Sequence, residues 1–116
     1  MNAEQLAAKL REQREHWVDV GGGKRVKLRR PHTVDLAKFK DGITIELITA
    51  CVVGWGGFTE ADLLGPAIGA SDPAPFSADL WSEVVRDRVD LVPPIVDALV
   101  RIVSEHVAAT GKIAGN

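Results

Sequence analysis

The residues best placed for chemistry in this 116-residue chain are a glycine run that ends in lysine and the basic stretch behind it. Gly21-Gly22-Gly23-Lys24 has the ingredients of a phosphate cradle, since glycine amides can approach an anion and a lysine can neutralise it. The phosphate-loop pattern, however, needs a longer G-x-x-x-x-G-K spacing, a following Ser or Thr, and a helix. Here Lys24 is followed by Arg25 and an alternating run, which fits a hairpin turn better. Lys24, Arg25, Lys27, Arg29 and Arg30 could contact phosphates or an acidic protein. Aromatic interleaving is missing, and the sequence pI is about 5.9, so nucleic acid is the weaker partner class.

The remaining reactive side chains do not form a constellation. His16, His32 and His106 lie far apart and share no metal-ligand spacing with the lone Cys51. Ser77, Ser82 and Ser104 sit outside any G-x-S-x-G elbow, and Asp87 and Asp90 read as solvated charges near a helix end. No nucleophile, base and orienting group come together. The expectation is therefore a non-enzyme with no catalytic, cofactor-binding or metal-ligating residues. One cysteine forms no internal disulfide, and no apolar run reaches the ~20 residues of a membrane span. The N-terminus lacks the apolar core of a signal peptide, so a reduced, cytoplasmic setting without membrane partners is expected.

Charge is unevenly spread. Residues 1–40 hold ten Lys or Arg against five Asp or Glu, a net +5, and residues 41–116 hold four against eleven, a net −7. Such asymmetry points to a charged partner, which could be nucleic acid or the opposite half of a second copy.

The elements that carry these residues read as mainly α, a small single domain of four to five helices with an N-terminal β-hairpin near 17–30. Asn2 caps a peripheral helix over 2–16, held by Leu6, Leu10 and Trp17. Val18, Val20, Val26 and Leu28 alternate with polar residues around the glycine turn, which is the hairpin signal. A helical core follows over 33–109. Within it, T-V-D-L-A-K-F makes a short turn through Phe39, and Asp41 caps a helix over 42–53 that Gly54 stops, although the β-branched Ile43, Thr44, Ile45, Ile48 and Thr49 would also suit a strand. Thr59 and Asp62 form a capping box for a helix through Leu64, and Ser77 caps a helix from Ala78 to Val89. The last helix runs past Pro93 and Pro94 to Ala109, with a stripe of Val92, Ile95, Val96, Leu99, Val100, Val103 and Val107. Residues 110–116 form a short tail.

Two aromatic residues sit among glycines, Trp55 and Phe58 beside Gly54, Gly56 and Gly57. They read first as corner packing and second as an anchor for a partner. Together with Arg25, Lys27, Arg29 and Arg30 they are the candidate partner-binding residues.

Most of residues 17–102 carries a family resemblance, in W-V-D-V and V-K-L-R-R-P, V-V-G-W-G-G-F-T-E-A-D-L-L, P-A-P-F-S-A-D-L-W and P-I-V-D-A-L-V. These stretches resemble the tail assembly chaperones of siphophage type, small proteins encoded in the tail modules of bacteriophages and prophages. The resemblance implies a mostly helical protein of the bacterial host cytoplasm, absent from the finished virion. It implies binding to the phage tape-measure protein, which is kept soluble while tail-tube subunits polymerise around it. Self-association fits such a role, and the +5/−7 split offers head-to-tail contacts. Two other functions stay open at this level: a head–tail joining or tail-completion component of the virion, and a small nucleic-acid-binding regulator that uses the basic hairpin.

Overall fold

The alternating runs form a hairpin of β1 (Glu15–Gly21) and β2 (Lys24–Arg29), paired antiparallel with Val18 opposite Val26. The computed structural model describes residues 1–39 and 41–113. Gly21, Gly22 and Gly23 all have positive φ, a backbone that glycine adopts without a Cβ penalty. Alternation then sorts the strands into two faces. Val18, Val26 and Leu28 are buried, while Trp17, Asp19 and Arg25 are exposed on the other side.

A third strand corrects the sequence reading. The helix expected over 42–53 is shorter: α2 covers Ile45–Cys51 and is capped by Thr44, whose Oγ1 accepts from the Leu47 amide, not by Asp41. The chain then passes directly into β3 (Val52–Gly56), which pairs antiparallel with β2 and makes the sheet order β1-β2-β3. Gly54 therefore lies within a strand and does not terminate a helix. The cause is tertiary. Val52 and Trp55 sit opposite Leu28 and Val26, so strand pairing closes the apolar face of β2 and overrides continued helix. An irregularity between Lys27 and Leu28 places Val53 as the extra residue of β3. The fold is thus mixed, helices with a three-stranded antiparallel sheet, and not mainly α with an isolated hairpin.

The N-terminal helix α1 covers Ala3–Gln13, opened by a reciprocal capping box of Asn2 and Gln5. It stops before His16 because Glu15 already pairs with Arg29 in the sheet. None of its residues is buried, and Leu6 and Leu10 are about half exposed, so these leucines do not anchor it as expected. Trp17 belongs to β1 and not to the helix.

A 3-10 turn spans Thr33–Phe39. Helix α3 (Glu60–Leu64) opens with the predicted Thr59/Asp62 capping box, and α4 (Ala78–Asp87) with Ser77 accepting from the Leu80 amide. After a 3-10 turn at Val89–Leu91, α5 runs Val92–Ile113, with both prolines in its first turn, where their missing amides cost nothing. The expected tail over 110–116 is helical as far as Ile113, and its last three residues lie outside those described.

The core packs the inner sheet face against α2, α4 and α5. Trp81, Phe58, Leu28, Leu91, Ile95, Leu99, Val26 and Val85 are its largest fully buried side chains. On α5 the buried positions are Ile95, Ala98, Leu99 and Ile102, an i, i+3, i+4, i+7 stripe. The stripe is narrower than expected, since Val100 and Val107 are about half exposed. Gly57, with φ of 80°, crosses the hairpin turn so closely that a Cβ there would run into the Gly23 carbonyl.

Candidate functional site

Period-two geometry gathers three of the candidate cations. Arg25, Lys27 and Arg29 alternate with buried Val26 and Leu28, so they project together from the outer sheet face. Trp17 lies opposite Lys27 in the register, with the Arg25 guanidinium 4.2 Å and the Lys27 ammonium 5.1 Å from its ring. Both are cation–π distances. On the other side of β2, Gly54 and Gly56 face Lys27 and Arg25, so β3 adds no side chain to cover them. Among the described residues, no ion pair involves Arg25 or Lys27, whereas Arg29 bonds Glu15 at 2.9 Å. The outer face is therefore basic, aromatic and open. The sequence reading missed Trp17 because its partners lie across a turn; the signal was its place in the β1 alternation.

Arg30 lies apart, past the end of β2. Its Nη1 donates to the Pro31 carbonyl at 2.7 Å, and its amide donates to the Arg14 carbonyl at 2.7 Å. Burial, followed by the charge of Arg14, lowers the pKa of Arg30. Arg14, Arg29 and Arg30 line a cavity of about 210 Å³ with His32, Asp35 and Lys38. The α2–β3 segment contributes Leu47, Ala50, Cys51 and Val53 to the same cavity. Burial pushes the Cys51 thiol up to about 11, so it stays protonated and acts as a small apolar residue.

Trp55 and Phe58 have a different role from that of a partner anchor. Phe58 is 2% exposed, stacked on Trp55 with centroids 4.5 Å apart. Trp55 also meets Phe76 and Trp81 edge-on, and its Nε1 donates to the Ala74 carbonyl at 2.8 Å. The two rings bind the 65–77 connector to the core, which removes Phe58 from any surface and leaves Trp55 only partly exposed.

Lys24, the cation of the glycine turn, is engaged as well. It pairs with Asp62 at 3.4 Å and so links the hairpin to α3. Hydrogen bonds from the Thr59 amide and hydroxyl, together with Lys24, hold the Asp62 carboxyl below its usual range. A structural turn accounts for the Gly-Gly-Gly-Lys run without a phosphate.

One apolar groove escaped the sequence reading. It lies between α3 and α4, measures about 230 Å³, and is lined by Leu63, Leu64, Leu80 and Val84 with Glu83, Asp87 and Arg88. Leu64 is 58% exposed there. Its residues lie on two separate helices, so spacing alone could not assemble it. Among the described residues no group of His, Cys, Asp and Glu is arranged to hold a metal ion, and no helix is long and apolar enough to cross a membrane. No protein-family model, curated protein or solved structure matches this chain.

Proposed function

We propose that the protein is a non-enzymatic phage tail assembly chaperone that binds a tape-measure protein and keeps it soluble during tail-tube assembly. The supporting observation is the exposed apolar groove between α3 and α4, where Leu63, Leu64, Leu80 and Val84 are flanked by charged Glu83, Asp87 and Arg88. An amphipathic helix binds such a groove by laying its apolar face against it, and a long helical rod offers that face repeatedly. The stretches that resemble the chaperone family fall within β1, β2, β3, α3, the start of α4 and the start of α5. Self-association belongs to the same proposal. Asp79, Glu83 and Asp87 recur every four residues on exposed positions of α4, opposite in sign to the outer sheet face. The host cytoplasm is the compartment this role requires.

Co-expression with a tape-measure protein of the same tail module tests the proposal. The wild-type chain is expected to raise the soluble fraction of the tape-measure protein. Leu64→Asp, an exposed position, is expected to keep its circular dichroism and lose roughly tenfold or more in affinity, the size of an interface hot spot. Finding the protein in purified virions by mass spectrometry would instead make it a structural component.

A nucleic-acid-binding regulator is a second reading, favoured by Trp17 between Arg25 and Lys27. Base stacking on an exposed indole beside cations is how single strands are held without sequence preference. On this reading a single-stranded DNA titration at low salt quenches Trp17 fluorescence, and Arg25→Gln with Lys27→Gln removes the effect. An unchanged signal at low salt sinks it.

A further inference from the structure

We propose that the cavity where Arg14, Arg29, Arg30 and Lys38 meet Leu47 and Val53 binds a carboxylate carried on an apolar stem, as at the C-terminal residue or an acidic side chain of a polypeptide. Four segments supply it: the end of α1, the end of β2, the 3-10 turn over Thr33–Phe39, and the α2–β3 segment. The site is independent of the groove between α3 and α4, so it stands or falls separately from the tape-measure proposal.

Like charges are gathered here without full compensation. Arg14 lies close enough to Arg30 that its charge, after burial, disfavours protonation of Arg30. Glu15 balances Arg29 at 2.9 Å, and Asp35 balances Lys38 at 3.6 Å. Among the described residues no carboxylate pairs with Arg14 or Arg30.

Hydrogen bonding is also incomplete. A guanidinium offers five N–H donors in a planar fork. Arg14 donates to the Leu10 carbonyl at 3.3 Å, Arg29 to Glu15 and Arg30 to Pro31, one bond each. The Nε–H groups of Arg14 and Arg29 are shielded from solvent and meet no acceptor among the described residues. An uncompensated donor in such a place is costly, and a bound carboxylate that accepts charge-assisted bonds from these guanidinium groups would offset that cost.

The remaining lining selects the kind of anion. Leu47, Ala50, Cys51 and Val53 are apolar or, for the thiol, neutral. A bare, strongly hydrated inorganic anion would use only the cationic lining, whereas a carboxylate on an aliphatic stem would use both. At about 210 Å³ the cavity is smaller than the roughly 300–1,000 Å³ of drug-sized sites, and fits a group the size of one residue.

The test is a nuclear magnetic resonance titration of the full chain with N-acetyl-leucine, its neutral amide N-acetyl-leucinamide, and inorganic phosphate. N-acetyl-leucine is expected to shift the amides of Arg30, Ala50 and Val53, with the amide analogue and phosphate each binding about tenfold or more weakly. Arg30→Gln is expected to lower the affinity for N-acetyl-leucine by a similar factor. Lys38→Gln, on a side chain 69% exposed, gives the same direction with no demand on folding. Equal responses to acid and amide would overturn charge recognition, and phosphate binding as tightly as N-acetyl-leucine would overturn the apolar half. No shift with any of the three would overturn the site.

Discussion

Leu99→Asp is expected to leave the chain without a cooperative folded state at 25 °C. Leu99 is fully buried on α5 beside Ile95, Ala98 and Ile102, the helix face that covers the inner side of the sheet. Truncating a buried leucine alone costs about 2–5 kcal/mol. The aspartate adds an unpaired carboxylate where no water or cation can reach it, a further cost of several kcal/mol. The sum is comparable with the ~5–15 kcal/mol that holds a small domain together. Circular dichroism during heating checks it, with a lost transition expected. Val100→Asp, next in sequence but 52% exposed, is expected to change stability by less than about 1 kcal/mol. An unchanged melt for Leu99→Asp would mean that this face of α5 is a solvent-facing binding surface.

The second large effect is at Trp81. Its side chain is fully buried in α4, with the Trp55 ring edge-on at a centroid distance of 6.4 Å. Trp81→Ala is expected to cost about 3–5 kcal/mol, through lost burial and the cavity left behind. Trp81→Phe should be much milder, at most about 1–2 kcal/mol. The Trp81 Nε1–H is buried without an acceptor among the described residues. Phenylalanine gives up volume but also removes that unsatisfied donor, and the second change offsets part of the first. Urea unfolding of the two variants measures the difference. If phenylalanine costs as much as alanine, the indole nitrogen is satisfied in solution and the offset does not exist.

What was legible in the sequence was local. The hairpin follows from alternation on both sides of three glycines, and the caps at Asn2, Thr59 and Ser77 follow from side chains that reach amides three residues on. The buried stripe of α5 follows from helical spacing, although its edges at Val100 and Val107 were set too wide. What was not legible needed distant partners. Val52–Gly56 became a strand because β2 presents Val26 and Leu28 to it; the β-branched residues over 43–53 allow a strand, but they do not say which part pairs. Trp17 faces Arg25 and Lys27 only once the hairpin is closed. The arginine-lined cavity is further still from a sequence signal, since its charges come from positions 14, 29 and 30 and its apolar lining from 47–53.

The arrangement of the core also bears on how the chain is made. The inner face of the hairpin, Val18, Val26 and Leu28, shares one buried core with Ile95, Leu99 and Ile102 of α5, and α5 packs on β1. During synthesis the hairpin is complete roughly seventy residues before this part of α5. At about 5–20 residues per second that lag lasts several seconds. Until β3 is made, both edges of the two-stranded ribbon are unpaired, and its three aliphatic side chains wait longer for the part of the core that α5 brings. Arg25, Lys27 and Arg29 stand on the opposite face and charge the nascent ribbon throughout. The same basic face that is open in the finished protein is therefore placed to oppose edge-to-edge association of the ribbon before β3 joins it.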